Sequence, residues 1–135
     1  MPKLAANVSL LFPQLEFLER FAAAAAAGFR DVEYQFPYAY RAQDVAQAAR
    51  EAGLGVVLHN LPAGDFTRGD RGIACLPGRR NEFREGVERA IEYAVAAGCP
   101  RLNCLAGIAS REAVHFDTLV ENVRFAARRL AAAGL

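Results

Sequence analysis

The sequence predicts an α/β fold of parallel strands, and three observations carry that expectation. A phrase made of an alanine-rich helix end, a glycine and an apolar run appears as AAAAAAGFRDVEYQF, AAREAGLGVVLHNL and YAVAAGCPRLNCLAG, and begins again as RRLAAAGL. Between the phrases, apolar residues recur at helical intervals. The runs after the glycines are short and apolar, as buried strands are. Strict alternation of strand and helix implies right-handed crossovers with the helices on the outer face of the sheet.

Taken in order, residues 4–9 form a first strand with no helix before it. Helix Glu16–Ala27 follows, with Phe17, Leu18 and Phe21 on one face, and then a strand at 31–36. Helix Arg41–Ala52 sets Val45, Ala48 and Ala49 together and leads to a strand at 55–60. A third helix, Arg79–Ala97, repeats Phe83, Val87, Ile91 and Val95 before a strand at 101–106. The fourth, Asp117–Ala133, carries Leu119, Val120, Val123 and Leu130, with Thr118 and Glu121 spaced as a capping box. Gly28, Gly53, Gly98 and Gly134 each stand where a helix ends in a left-handed residue.

Four βα units over 1–135 are therefore expected as a single portion, and the pattern stops where a fifth strand would begin. A (β/α)₈ barrel has eight such units in about 250 residues. The expectation is the first half of such a barrel, truncated before strand five. Its first and fourth strands would be open edges and its interior face uncovered, which favours self-association into a homo-oligomer.

Composition narrows the function. Apolar residues make up 53% and charged residues 23%, which suits a folding domain rather than a disordered chain. Sixteen Lys+Arg against fifteen Asp+Glu leave no basic face for nucleic acid. The opening MPKLAANVSLLF lacks the long apolar region of a signal peptide, and no window approaches a membrane span, so a cytoplasmic protein is expected. Cys75, Cys99 and Cys104, an odd number without CxxC spacing, read as reduced thiols.

Barrel chemistry is built at strand C-termini. In DVEYQF, Val32, Tyr34 and Phe36 are expected to face the helices, which turns Glu33 and Gln35 inward. Glu33 has no adjacent cation in the sequence, so it is either a structural carboxylate hydrogen-bonded to neighbouring strands or a substrate contact. His59 and Asn60 close the third strand and open the twenty-residue stretch LPAGDFTRGDRGIACLPGRR, long enough to cover a substrate, so His59 is either a satisfied structural histidine or a pocket residue. Its Arg68, Arg71, Arg79 and Arg80 could hold a small carboxylate bidentately or be solvated loop charges. Asn7 and Asn103 are further interior candidates, and His115 is given no role. Glu33 and His59 alone are too few for a metal site.

The segments ANVSLLF at 6–12, GFRDVEYQFPY at 28–38, LHNLPAGD at 58–65, RGIACLPGR at 71–79, FREG at 83–86, NCLAG at 103–107 and TLVEN at 118–122 resemble the N-terminal half of the hydroxypyruvate isomerase family, within the xylose-isomerase-like barrels. The resemblance runs in order through the chain. It implies an aldose–ketose type isomerisation of hydroxypyruvate and tartronate semialdehyde through an enediol, a reaction of glyoxylate and carbohydrate metabolism, with a divalent metal, Mg or Mn. It also implies that the paired acid/base glutamates and the metal ligands lie on strands five to eight. No catalytic residue and no metal ligand is then expected within 1–135, and the chain alone is expected to be inactive. What remains is a substrate-binding wall of Asn7, Glu33, His59, Asn60 and Arg71. On this expectation His59→Ala lowers kcat/KM with little loss of stability. The alternatives are a related sugar or keto-acid isomerase or epimerase, and a non-catalytic half-barrel acting as an assembly module.

Overall fold

The computed structural model describes residues 2–135; residue 1 of the expected span lies outside the described residues. Four strands, β1 (Ala5–Asn7), β2 (Asp31–Tyr34), β3 (Gly55–Asn60) and β4 (Leu102–Asn103), alternate with four helices, α1 (Glu19–Ala26), α2 (Ala42–Glu51), α3 (Arg80–Ala97) and α4 (Ala113–Ala132). The strands lie in the order β1-β2-β3-β4, and the β1–β2 and β2–β3 pairs are parallel. Gly28 and Gly98, at φ +89 and +64, end α1 and α3 in the left-handed conformation that the repeated phrase calls for. No helix among the described residues is long and apolar enough to cross a membrane.

The chain forms two compact units. The first runs to His59 and includes Glu92–Leu102. Its core gathers Phe21 and Ala24 of α1, Val45 and Ala49 of α2, and Ala6, Val32, Tyr34 and Val56 of the strands. The second comprises Asn60–Ile91 and Asn103–Leu135, with Leu61, Ile73, Ala74, Phe83, Val87 and Ala126 inside.

Two local expectations are corrected. Helix α4 begins at Ala113 with Glu112 as its N-cap, four residues before the expected start. Thr118 therefore lies inside the helix, where its hydroxyl donates to the Val114 carbonyl at 2.6 Å, and it forms no capping box with Glu121.

The second correction concerns strand phase. Val32 pairs with Val56, but Glu33 pairs with Leu58 and Tyr34 with His59, so Val57 is an extra residue bulged out of β3. Simple alternation from the buried Val56 would set His59 on the face of Glu33. The bulge shifts the phase by one residue, so His59 shares the buried face of Tyr34.

Candidate functional site

In the first unit, β1 ends at Asn7 directly opposite Glu33 of β2. Both residues are half-buried, on the strand face away from Ala6, Val32 and Tyr34. The Asn7 amide is used at both ends: Nδ2 donates to Glu33 Oε1 at 3.0 Å, and Oδ1 accepts the Ser9 N–H at 3.1 Å. The Asn7 main-chain carbonyl accepts the N–H groups of Leu10 and Leu11 at 3.0 and 2.9 Å, which turns the chain out of the strand. Ser9 Oγ in turn accepts the Gln35 N–H at 2.8 Å, tying this turn to the end of β2. Among the described residues Glu33 makes no ion pair. Its second carboxylate oxygen accepts no hydrogen bond among the described residues.

His59 lies in the core of the first unit, as the structural of its two readings has it. It is 0% exposed, with its ring stacked on Tyr34 at a centroid distance of 5.6 Å and 14° between planes. Tyr38 brings its hydroxyl to 3.4 Å from His59 Nδ1 and meets Tyr93 edge-on at 5.1 Å. The Tyr93 hydroxyl donates to the Tyr40 carbonyl at 2.5 Å. Phe17 and Phe21 close the stack by meeting Tyr34 edge-on. Burial pushes the Tyr34 hydroxyl well above the usual phenol range, and burial likewise pushes the Cys99 thiol up. The bulge at Val57 is the physical reason that His59 lies in this aromatic layer and not in an open wall.

In the second unit, Asn60 Oδ1 accepts from Asn103 Nδ2 at 3.0 Å, while the Asn103 carbonyl accepts the Leu61 N–H at 2.8 Å. The following loop is ordered by its own polar groups. Asp65 caps a 3₁₀ turn, Phe66–Arg68, by accepting the Thr67 and Arg68 N–H groups. Asp70 accepts the Asp65 N–H and pairs with Arg79 at 2.7 Å, and the Arg79 guanidinium holds its carboxyl below the usual range. Gly72, at φ +109, has the Leu105 carbonyl so close that a Cβ would collide with it. Near this approach, the Cys75 N–H reaches the Ala106 carbonyl at 2.8 Å. Asn122, fully buried, donates to the Ala74 carbonyl at 2.9 Å and fixes the same stretch.

The arginines of this loop divide. Arg79 is engaged by Asp70 and by Glu82, and Arg80 by Thr118, Glu121 and the Pro77 carbonyl. Arg71 is exposed, lies over the Phe66 ring at 4.5 Å, and among the described residues uses only Nη1, to the Phe66 and Asp70 carbonyls. The rest of its guanidinium is open to an anion.

Among the described residues no group of three or more His, Cys, Asp or Glu is placed to hold a metal ion. The two ligand types considered from sequence lie on opposite strand faces, Glu33 on the open one and His59 in the core. The residues present do not fit the divalent metal that the resemblance implies. A cavity of about 720 Å³ opens among Leu4, Gly28, Arg30 and Asp31, at the N-terminal ends of β1 and β2, the end where barrels do not build chemistry.

Arg20 and Tyr38 also bear on the site, outside the sequence patterns described above. Arg20 stands between Phe17 and Phe21 at the apolar edge of α1, a charged residue next to a core aromatic, and that position was the available signal.

A model of the family described as Xylose isomerase-like TIM barrel matches residues 21–135. The chain belongs to this family. Within it, the hydroxypyruvate isomerase of Escherichia coli K12 is 49% identical over 134 residues, covering 96% of this chain and 52% of that protein. A 2-oxo-tetronate isomerase of Haemophilus influenzae is 43% identical, covering 93% of this chain and 50% of that protein. A crystal structure described as an AP endonuclease, family 2, from Brucella melitensis superposes with a TM-score of 0.95 at 42% identity, covering 100% of this chain and 53% of that one. The chain spans about half the length of the curated relatives it matches. As a member of the xylose isomerase-like TIM barrel family, it has its open Asn7–Glu33 pair at the strand end where such barrels carry their sites.

Proposed function

We propose that this chain supplies substrate-binding strands to an intramolecular oxidoreductase acting on small hydroxy keto acids, with hydroxypyruvate as the leading substrate. The observation that carries the reading is the 49% identity to a hydroxypyruvate isomerase along nearly the whole chain, with the Asn7–Glu33 pair kept clear of the core. The reaction conserves every atom. A proton leaves C3 of hydroxypyruvate, an enediol forms across C2 and C3, and a proton returned to C2 gives 2-hydroxy-3-oxopropanoate, while the hydroxyl proton passes from O3 to O2.

The residues of this chain bind and orient; the proton-transferring groups and the ligands of a divalent metal are proposed to lie outside them. In the first unit, Glu33 accepts a hydrogen bond from a substrate hydroxyl, a charge-assisted contact made directional because Asn7 fixes the other oxygen. In the second unit, the free edge of Arg71 suits a carboxylate, and Asn60 keeps its orientation through Asn103. His59 contributes by supporting the strand beneath. The similarity to a 2-oxo-tetronate isomerase favours a four-carbon homologue as the second substrate to try. A cytoplasmic location agrees with three free cysteines, and self-association agrees with the exposed Leu4, Leu10, Ile108 and Phe116.

The test joins this chain to the C-terminal half of the Escherichia coli relative and assays the fusion, beside the unfused chain, on hydroxypyruvate, 2-oxo-tetronate and DNA containing abasic sites. The expected result is isomerisation by the fusion and none by the chain alone. A soluble, folded fusion that isomerises neither acid, or that cuts the DNA, overturns the reading.

A further inference from the structure

We infer that Arg20 is a positioning residue: from α1 it sets the Asn7–Glu33 pair through the turn that follows β1. Arg20 is half-buried, and among the described residues its guanidinium donates only to main-chain carbonyls, Nε to Leu15 at 2.9 Å and Nη1 to Val8 at 3.1 Å and Ser9 at 3.5 Å. Two of these acceptors flank the residue whose N–H fixes the Asn7 amide. The path from Arg20 to Glu33 is therefore short: guanidinium, Val8 and Ser9 carbonyls, Ser9 N–H, Asn7 amide, Glu33 carboxylate.

The turn needs such a fastening. Phe12 holds φ +59, a left-handed conformation unfavourable for a residue with a side chain, and Leu10 and Leu11 are exposed, so packing does not hold them. A strained segment keeps its shape only when the contacts around it over-determine that shape. Besides the bonds of the Leu10 and Leu11 N–H groups to the Asn7 carbonyl, Arg20 adds contacts from one rigid planar fork, which a lysine ammonium cannot reproduce across carbonyls as far apart in sequence as Val8 and Leu15.

The inference rests on the proposed role of Asn7 and Glu33, but its test needs no ligand. In nuclear magnetic resonance spectra of the full 135-residue chain, the Asn7 side-chain amide and the Ser9 and Gln35 amides are followed in wild type, Arg20→Lys and Arg20→Ala. In Arg20→Ala, exchange at Ser9 and Gln35 is expected to rise by about tenfold, the scale of losing one hydrogen bond's net contribution. The two Asn7 Nδ2 protons should also move toward the positions of a free amide, and Arg20→Lys should recover part of both effects. If Arg20→Ala does not fold, the wild-type Arg20 Nε–H signal decides: it is expected to be resolved and slow to exchange. Unchanged Asn7 signals in a folded Arg20→Ala, or an Arg20 Nε–H in fast exchange in wild type, overturn the inference. Titration of wild type with glycerate separates the two ideas. Disturbed Asn7 signals in the variant without any response of wild type to glycerate would sink the proposed binding role and leave Arg20's positioning role standing.

Discussion

The two faces of β2 and β3 carry neighbouring residues with opposite fates. Glu33 and Leu58 stand on a half-exposed face where one carboxylate is held by one amide, while Tyr34 and His59, each the next residue along, are sealed into an aromatic layer. A polar residue at a strand end is thus no guide to chemistry until its face is known, and here one bulged residue decides the face.

The largest effect is expected from His59→Ala. Removing a fully buried ring stacked on Tyr34 is expected to cost about 3 kcal/mol, as other large-to-small aromatic changes in cores do. This reverses the expectation from sequence, in which the substitution lowers turnover and spares stability. Thermal unfolding measures it, and a loss below about 1 kcal/mol would return His59 to a solvent-accessible position.

The fold was legible for a physical reason. Helix periodicity and left-handed glycines are local, and both show in the letters around Gly28 and Gly98. The open placement of Glu33 was legible too, because β2 alternates without interruption. The bulge was not, since GVVLHN contains no glycine or proline at Val57 and only the pairing with β2 reveals the extra residue. The start of α4 was misplaced because SREAVH has no strong stop, and the helix extends through Ala113 to Phe116. The Arg79–Glu82 pair could have been seen as an i,i+3 contact. The Arg80–Glu121 pair spans 41 residues and could not.

On the open face, effects should be smaller. Glu33→Ala leaves the Asn7 Nδ2 without its partner, yet the site is half-exposed and water can replace the bond, so a loss of at most about 1 kcal/mol is expected. Glu33→Gln keeps an acceptor oxygen for Asn7 and should lose less. Parallel thermal melts check the order, and indistinguishable variants would mean that the Asn7–Glu33 hydrogen bond contributes nothing in solution.

The smallest effect has the opposite sign and lies back in the sealed layer. The Tyr34 hydroxyl is buried and finds no hydrogen-bond partner among the described residues, so the folded chain bears the cost of taking it out of water. Tyr34→Phe keeps the ring on His59 and removes that cost, and the variant should be as stable as wild type or more stable by up to about 1 kcal/mol. Alkaline pH separates this cause from a general packing gain. Burial raises the folded ionisation point of Tyr34, and those of Cys99 and Cys104 in the same direction. The unfolded chain therefore releases protons first, from about pH 8.5 at the thiols and about pH 10 at the phenol. Over that range the folded state binds more protons, and stability must fall as pH rises. Tyr34→Phe should leave the fall that begins near the thiol value and flatten the part above pH 10, as read from denaturation midpoints at fixed ionic strength. Identical curves for variant and wild type above pH 10 would show that the Tyr34 hydroxyl ionises in the folded chain, and so that it reaches water.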